Sequence, residues 1–351
     1  MPHDMKPRAH AGIAAAAVWL PANRQSCEAA VREGELTRRA ADDLGHATLP
    51  VAEDVSAPDM AVRAGESALG RGGVRAEDVT SLYHAYMHYQ GHDLWPVAHY
   101  IAHGLGASDA VPVGIQQICN GGTTAVELAF SRLAQDEDPG FAVVTTADRF
   151  VPPAFDRWTS DYGVAYGDVG TSAVLTTDPA HPCPLLLRSV CTTAAPHLEG
   201  MHRGVAPFSP APVHHATPVD MRRTKRVYLR ANGVKAFDDA NTAAIERVVT
   251  EALKDTGLTP DDSRLRAVVL PRFGARLLRE SWAPVLSGAT SAPLCDWGRE
   301  TGHVGAGDAI AGLAELLDRR LLSAGDFAFI LSAGAGFTWS CLAVEGTGTH
   351  V

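Results

Sequence analysis

Apolar positions along this chain fall into two periods. Val126, Ala129, Phe130 and Leu133 repeat at i, i+3, i+4 and i+7, the spacing of one helix face. The short apolar run just before them, residues 113–118, is expected to be a buried strand. Residues 58–87 and 238–273 resemble each other: both read as helix, glycine turn, short acidic linker and apolar strand. In the second copy Ile245, Val248, Val249, Ala252 and Leu253 form the helical apolar face, and Gly257 stands where a C-terminal glycine cap belongs. Segments 162–177 and 327–344 echo each other as well, each setting glycines beside short apolar strands, a mark of close backbone approach. The run "AGIAAAAVWLP" reads as a first strand, since it is too short to cross a bilayer and ends in Pro21. Strands alternating with helices predict an α/β chain of layered sheets, built as two halves by internal duplication. The expected division is 1–190, and 191–351 with a Pro- and His-rich connector at 195–218.

Composition narrows the class. With 351 residues, 46% hydrophobic and 20% charged, the chain can bury a substantial core. Its net charge of −10 argues against nucleic acid or anionic lipid as a partner. The polar stretch 1–10 holds no apolar h-region, which predicts a cytoplasmic location and no membrane association. The six cysteines are scattered without a CxxC pair, so neither a zinc site nor a disulfide framework is expected.

Cys119 falls at the predicted turn between the strand and the helix, in "GIQQICNGGTTAVELAF". A helix start presents unpaired N–H groups and partial positive charge to an anionic sulfur, a setting suited to a nucleophile. A free cysteine more often packs as a small hydrophobe, so position alone leaves both roles open. A nucleophile needs a base, and His303 stands in a glycine-flanked loop, "GHVGAGD", ahead of another helix. Asp308, five residues on, is either the group that orients the imidazole or a first-turn acid facing the helix dipole. The pairing requires the intervening glycine loop to be nonhelical. "HAYMHYQGHDLWPVAHYIAH", 84–103, spaces His84, His88 and His92, and again His99 and His103, four apart, which would align them on helix faces. It carries no HExxH-type motif, so packing beside a pocket is favoured over metal binding. Asp168 in "YGDVG" reads as a structural turn residue rather than part of a phosphate loop.

Cys119 in its setting, "GVAYGDVGTSAVL", "GLTPDD" before the strand "AVVLP", and the terminal "AGAGFTW" together resemble the ketoacyl synthase III branch of the thiolase superfamily. The resemblance implies a thiolase-like five-layer αβαβα fold, a homodimer, and a cysteine acylated by CoA or acyl carrier protein, with no tightly bound cofactor and no metal. It departs from condensing members at two places. Their Pro-His-Gln-Ala-Asn segment is "PRFGA" here, with Arg272 for the histidine and Ala275 for the asparagine, and their Gly-Asn-Thr asparagine is His303. The set Cys119, His303 and Asp308 is similar to that of ketosynthase III-like acyltransferases of antibiotic pathways, most of all the ester-forming homologues of the cervimycin type. That likeness implies transfer of an acyl group, of malonyl type, to a hydroxyl of a glycosylated polyketide such as a deoxysugar, without decarboxylative condensation. It places an oxyanion between the N–H groups of Cys119 and Ala335. Arg38, Arg39 and Arg272 are the candidates for gripping the donor. A starter-unit condensing enzyme and a noncatalytic thiolase-fold partner are the alternatives.

Overall fold

A computed structural model describes residues 11–136, 138–210 and 218–349. The polar stretch 1–10, and residues 211–217 of the expected connector, lie outside the described residues. The alanine-rich run forms β1 (Ala11–Trp19), buried along most of its length. A small outlying sheet of β2 (Arg24–Ser26) and β3 (Thr48–Pro50) encloses α1 (Cys27–Arg32) and α2 (Arg38–Leu44). The first half continues as α3 (Ala57–Gly72), β4 (Val79–Ala85), α4 (Val97–Leu105), β5 (Val111–Ile115), α5 (Gly121–Leu133), β6 (Phe141–Asp148) and β7 (Val169–Thr176). The second half runs β8 (Leu185–Ala194), α6 (Gly200–Arg203), α7 (Met221–Asn232), α8 (Lys235–Thr256), β9 (Leu265–Val269), α9 (Ala275–Leu277), α10 (Ala283–Ala289), β10 (Leu294–Cys295), α11 (Asp308–Arg319), β11 (Phe327–Gly334) and β12 (Thr338–Gly346).

Ten strands hydrogen-bond in the order β10-β9-β11-β12-β8-β1-β7-β6-β4-β5. Read outward from the β8–β1 contact, the two sides match element for element, with α3 and α5 answering α8 and α11. Packing turns this order into five layers. Ala125, Val126 and Ala129 of α5 and Ile310, Leu313 and Ala314 of α11 share one core with strands from both halves. Met60, Ala61 and Ala68 of α3 and Ile101 of α4 cover the outer face of the first half. Ile245, Val248, Val249, Ala252 and Leu253 of α8, with Leu286 of α10, cover the second. The chain has the α/β, thiolase-like architecture, and the apolar faces of α3, α5, α8 and α11 are buried against the sheet.

Three details differ from the sequence reading. The division between residues 190 and 191 falls inside β8, which already pairs with both β1 and β12. The strand expected to be buried over 113–118 ends at Ile115, because the chain turns before the cysteine, and it is largely exposed, because β5 is the edge of the sheet. His84, His88 and His92 do not share a helix: His84 lies in β4 and the other two in the loop before α4. His84 is bonded to Thr145 Oγ1 at 3.0 Å and Gln90 Oε1 at 3.3 Å, and burial lowers its pKa to about 4. His88 stacks on Phe150, and His92 meets the edge of Trp95. Among the described residues no group of three or more His, Cys, Asp or Glu side chains is arranged to hold a metal ion, and no helix is long and apolar enough to cross a membrane.

Candidate active site

Cys119 sits in a single 3-10 turn, Ile118–Asn120, between β5 and α5. Ile118 adopts φ of 49°, a left-handed conformation that costs a β-branched residue on the order of 1–2 kcal/mol. That turn leaves Cys119 partly exposed at the tip, with its Sγ 3.9 Å from Met87 Sδ. From the other half, Gly334 at the end of β11 packs against the same turn. A Cβ there would stand 2.7 Å from the Asn120 amide nitrogen and 3.2 Å from that of Cys119. Ala335, in the turn that follows, lines the cavity that holds the cysteine.

His303 is held by its backbone and boxed by rings. Its N–H donates to Ala165 O at 2.8 Å, and its carbonyl accepts the Gly167 N–H at 2.9 Å. The Tyr166 and Phe273 rings lie 5.3 and 5.5 Å from the imidazole. Gly302 and Gly305 both take positive φ, so the chain turns sharply, a single 3-10 turn spans Gly305–Gly307 where a nonhelical loop was expected, and α11 begins only at Asp308. That geometry brings His303 Nδ1 to 2.7 Å from Asp308 Oδ2, while the other Asp308 oxygen accepts the Val304 N–H at 2.9 Å. His303 is 1% exposed. Burial opposes its charge, but the Asp308 carboxylate and the Cys119 sulfur outweigh that and hold its pKa well above 6.5. Burial likewise works against the Asp308 charge, and the His303 contact overcomes it, leaving that carboxyl below its ordinary value. Nε2 of His303 is buried without a hydrogen-bond partner, and His303 and Cys119 line the same cavity. The imidazole and the carboxylate are joined by a hydrogen bond, and the cysteine shares the imidazole's cavity. A proton can pass between sulfur and ring there while the carboxylate fixes the tautomer and steadies the imidazolium.

That cavity, of about 270 Å³, is walled by Tyr162, Phe237, Trp282 and Phe337, with Lys225 and Asp161 as its charged pair. Lys225 Nζ lies 2.5 Å from Asp161 Oδ1, and Asp161 Oδ2 accepts the Tyr166 hydroxyl at 3.2 Å. Asp168 is fully buried, paired with Arg157 at 3.2 Å and bonded by the Ala52 and Phe150 N–H groups, a structural role.

The three arginines expected to grip a donor do not reach this cavity. Arg38 projects from α2 into solvent and pairs with Glu28 at 2.7 Å, and its neighbour Arg39 is exposed beside it. Arg272 is buried, but its guanidinium points away from the cysteine to Trp297 O, Thr301 Oγ1 and Glu315 Oε2. An ion pair and two neutral acceptors already satisfy it, so no donor carboxylate is needed to explain its burial.

Asp148 is a residue the sequence reading missed. At the end of β6 it accepts the Met87 and His88 N–H groups on one oxygen, at 2.9 and 2.8 Å, and the Ala306 N–H on the other at 3.0 Å. One carboxyl therefore joins the loop behind Cys119 to the loop behind His303. Burial pushes its pKa up to about 7 against the pull of those three donors. The available signal was an acid closing an otherwise apolar strand in "AVVTTAD".

Comparison with known proteins bears on the family and the fold. Residues 253–345 match the family described as 3-oxoacyl-[acyl-carrier-protein] synthase III, C terminal. No curated protein matches significantly. Among solved structures, ChlB3, described as an acyltransferase, is 31% identical over 97% of this chain and 99% of its own, with a TM-score of 0.86. AbyA1, a tetronic acid condensing enzyme, is 23% identical over 96% and 100% with a TM-score of 0.73. The 3-oxoacyl-[acyl-carrier-protein] synthase III of Aquifex aeolicus VF5 is 17% identical over 95% and 99% with a TM-score of 0.77. These last two share the fold. The extent and identity of the match to ChlB3, with the family match in the second half, show that the chain belongs to the 3-oxoacyl-acyl-carrier-protein synthase III-like family of the thiolase fold.

Proposed function

We propose that this chain is an O-acyltransferase of polyketide tailoring. It moves an acyl group, of malonyl type, from a CoA or carrier-protein thioester through Cys119 to a hydroxyl of a glycosylated acceptor, as an ester-forming ketosynthase homologue of the cervimycin type would. The observation that carries this reading is the buried His303–Asp308 contact beside Cys119, together with Arg272 in place of a condensing histidine. The likeness to ChlB3, an acyltransferase, supports it.

In the first half-reaction the Cys119 thiolate attacks the donor carbonyl, the donor C–S bond breaks, and the leaving thiolate takes a proton from the His303 imidazolium. Acylation then removes the negative sulfur that helps to hold a proton on His303, so the ring releases its proton more readily and is neutral when an alcohol arrives. In the second half-reaction neutral His303 takes the hydroxyl proton, the alkoxide oxygen attacks the thioester carbon, and collapse releases the ester and restores thiolate and imidazolium. Arg272 cannot serve as that base, because a guanidinium stays protonated. The N–H groups of Cys119 and Ala335 are the proposed oxyanion donors, each worth roughly 3 kcal/mol of barrier. A homodimer is proposed on the exposed edge of β5, where Val111 and Val113 stand in solvent at the end of the ten-stranded sheet.

The test is incubation with carboxyl-labelled malonyl thioester and a glycosylated polyketide. Ester formation is expected to keep the label, and Cys119→Ala to abolish the acyl adduct on the protein. Labelled CO2 with a carbon–carbon product would assign the chain to condensation instead, and the absence of any adduct would make it a noncatalytic partner.

A further inference from the structure

Arg272 is 5% exposed, and its hydrogen bonds go to Asp308, to Glu315 and to the loop before His303. Its backbone N–H donates to Asp308 Oδ2 at 2.8 Å, on the same oxygen that faces His303 Nδ1. Its Nη1 reaches Trp297 O and Thr301 Oγ1, each at 2.8 Å, in the loop that leads into His303. Its Nη2 reaches Glu315 Oε2 at 3.0 Å, two helical turns along α11 from Asp308. Thr301 Oγ1 in turn donates to Gly302 O at 3.0 Å, next to the histidine. The loop lies so close that a Cβ on Gly298 would stand 3.1 Å from Arg272 Cα.

We propose that Arg272 is a positioning residue for acyl transfer: its guanidinium ties the loop entering His303 to the helix opening with Asp308 and keeps the imidazole against that carboxylate. Five rigidly forked donors suit three acceptors on two elements, a task a lysine ammonium performs less precisely. This inference rests on the reading of His303 as the base.

The test compares Arg272→Gln, Arg272→Lys and Glu315→Gln by two readouts. The first is the titration of His303, followed by NMR of ring-labelled histidine in a Cys119→Ala background and assigned by its loss in His303→Gln. Loosening the Asp308 contact moves the His303 pKa down, whereas simply deleting a nearby positive charge would move it up. We expect a downward shift in Arg272→Gln and a smaller one in Arg272→Lys, while Glu315→Gln is read by transfer rate alone, because deleting a negative charge lowers the His303 pKa by itself. The second is single-turnover transfer from preformed acyl-Cys119, expected to slow by about 100-fold in Arg272→Gln, as misplacement of a reacting group by about an ångström does. An unmoved or raised His303 pKa overturns the proposal. Should Arg272→Gln fail to fold, Arg272→Lys, which keeps the charge and loses the fork, decides by the same criterion, since charge alone leaves the His303 pKa unmoved. A downward shift in a protein whose wild type makes a condensed product would leave the positioning role standing and remove only the ester-forming reading.

Discussion

His303 Nδ1 lies 2.7 Å from Asp308 Oδ2, with both side chains buried. Asp308→Asn keeps the shape and removes the charge, so the His303 pKa falls toward its ordinary value. The pH limb for transfer then moves to lower pH, and the rate drops by roughly 10³-fold as tautomer control and imidazolium stabilisation are lost. Stopped-time mass spectrometry of the acyl-enzyme across pH checks both.

Gly334 is required by space. In Gly334→Ala the new methyl meets the amide nitrogens of Asn120 and Cys119, which are backbone and cannot swing aside. Acylation of Cys119 is expected to fall by at least ~10-fold, on the scale of a reacting group displaced by a fraction of an ångström. Gly70→Ala is the control: in α3 it meets nothing within 4 Å, and it should raise stability by about 0.5–1 kcal/mol without changing acylation.

Asp148 predicts a pH dependence of stability with a definite sign. Its pKa is about 7 in the folded chain against an ordinary 3.8, so between those values the unfolded chain ionises while the folded chain keeps the proton. Stability from this group is therefore full below about pH 4, declines as pH rises to about 7, and is level above. Asp148→Asn removes that slope and turns an amide NH2 toward a backbone N–H, at a cost of roughly 1–3 kcal/mol. Urea denaturation of both proteins from pH 4.5 to 8 measures it.

Lys225→Met leaves Asp161 buried beside the cavity without its cation. Loss of one partner of a buried pair costs roughly 3–5 kcal/mol, and Asp161→Asn in the same chain should recover much of it. A double-mutant cycle in chemical denaturation gives the coupling directly.

The fold was legible wherever one local pattern decided it. The apolar face of α8 and the Gly257 cap announce their helix, and the glycines around His303 announce a sharp turn whose close approach brings Asp308 to the ring. What local pattern could not supply was direction across the two halves. Arg272 is a long cation at a family catalytic position, and nothing in its neighbours along the chain says that it turns toward Glu315 rather than the cysteine. Arg38 has its counter-ion ten residues back, in Glu28. Asp148 acquires meaning only when Met87, His88 and Ala306, far apart along the chain, converge on one carboxyl.

The central claim is that His303 takes the proton of an incoming hydroxyl while the acyl group rides on Cys119. Wild type and His303→Gln should each be loaded with acyl thioester to completion, freed of donor, and given the alcohol acceptor while intact mass is followed. Wild-type adduct should vanish as ester appears, and the His303→Gln adduct should persist. Equal loss of the adduct from both proteins, with ester formed at the same rate, would contradict the assignment of His303 as the base.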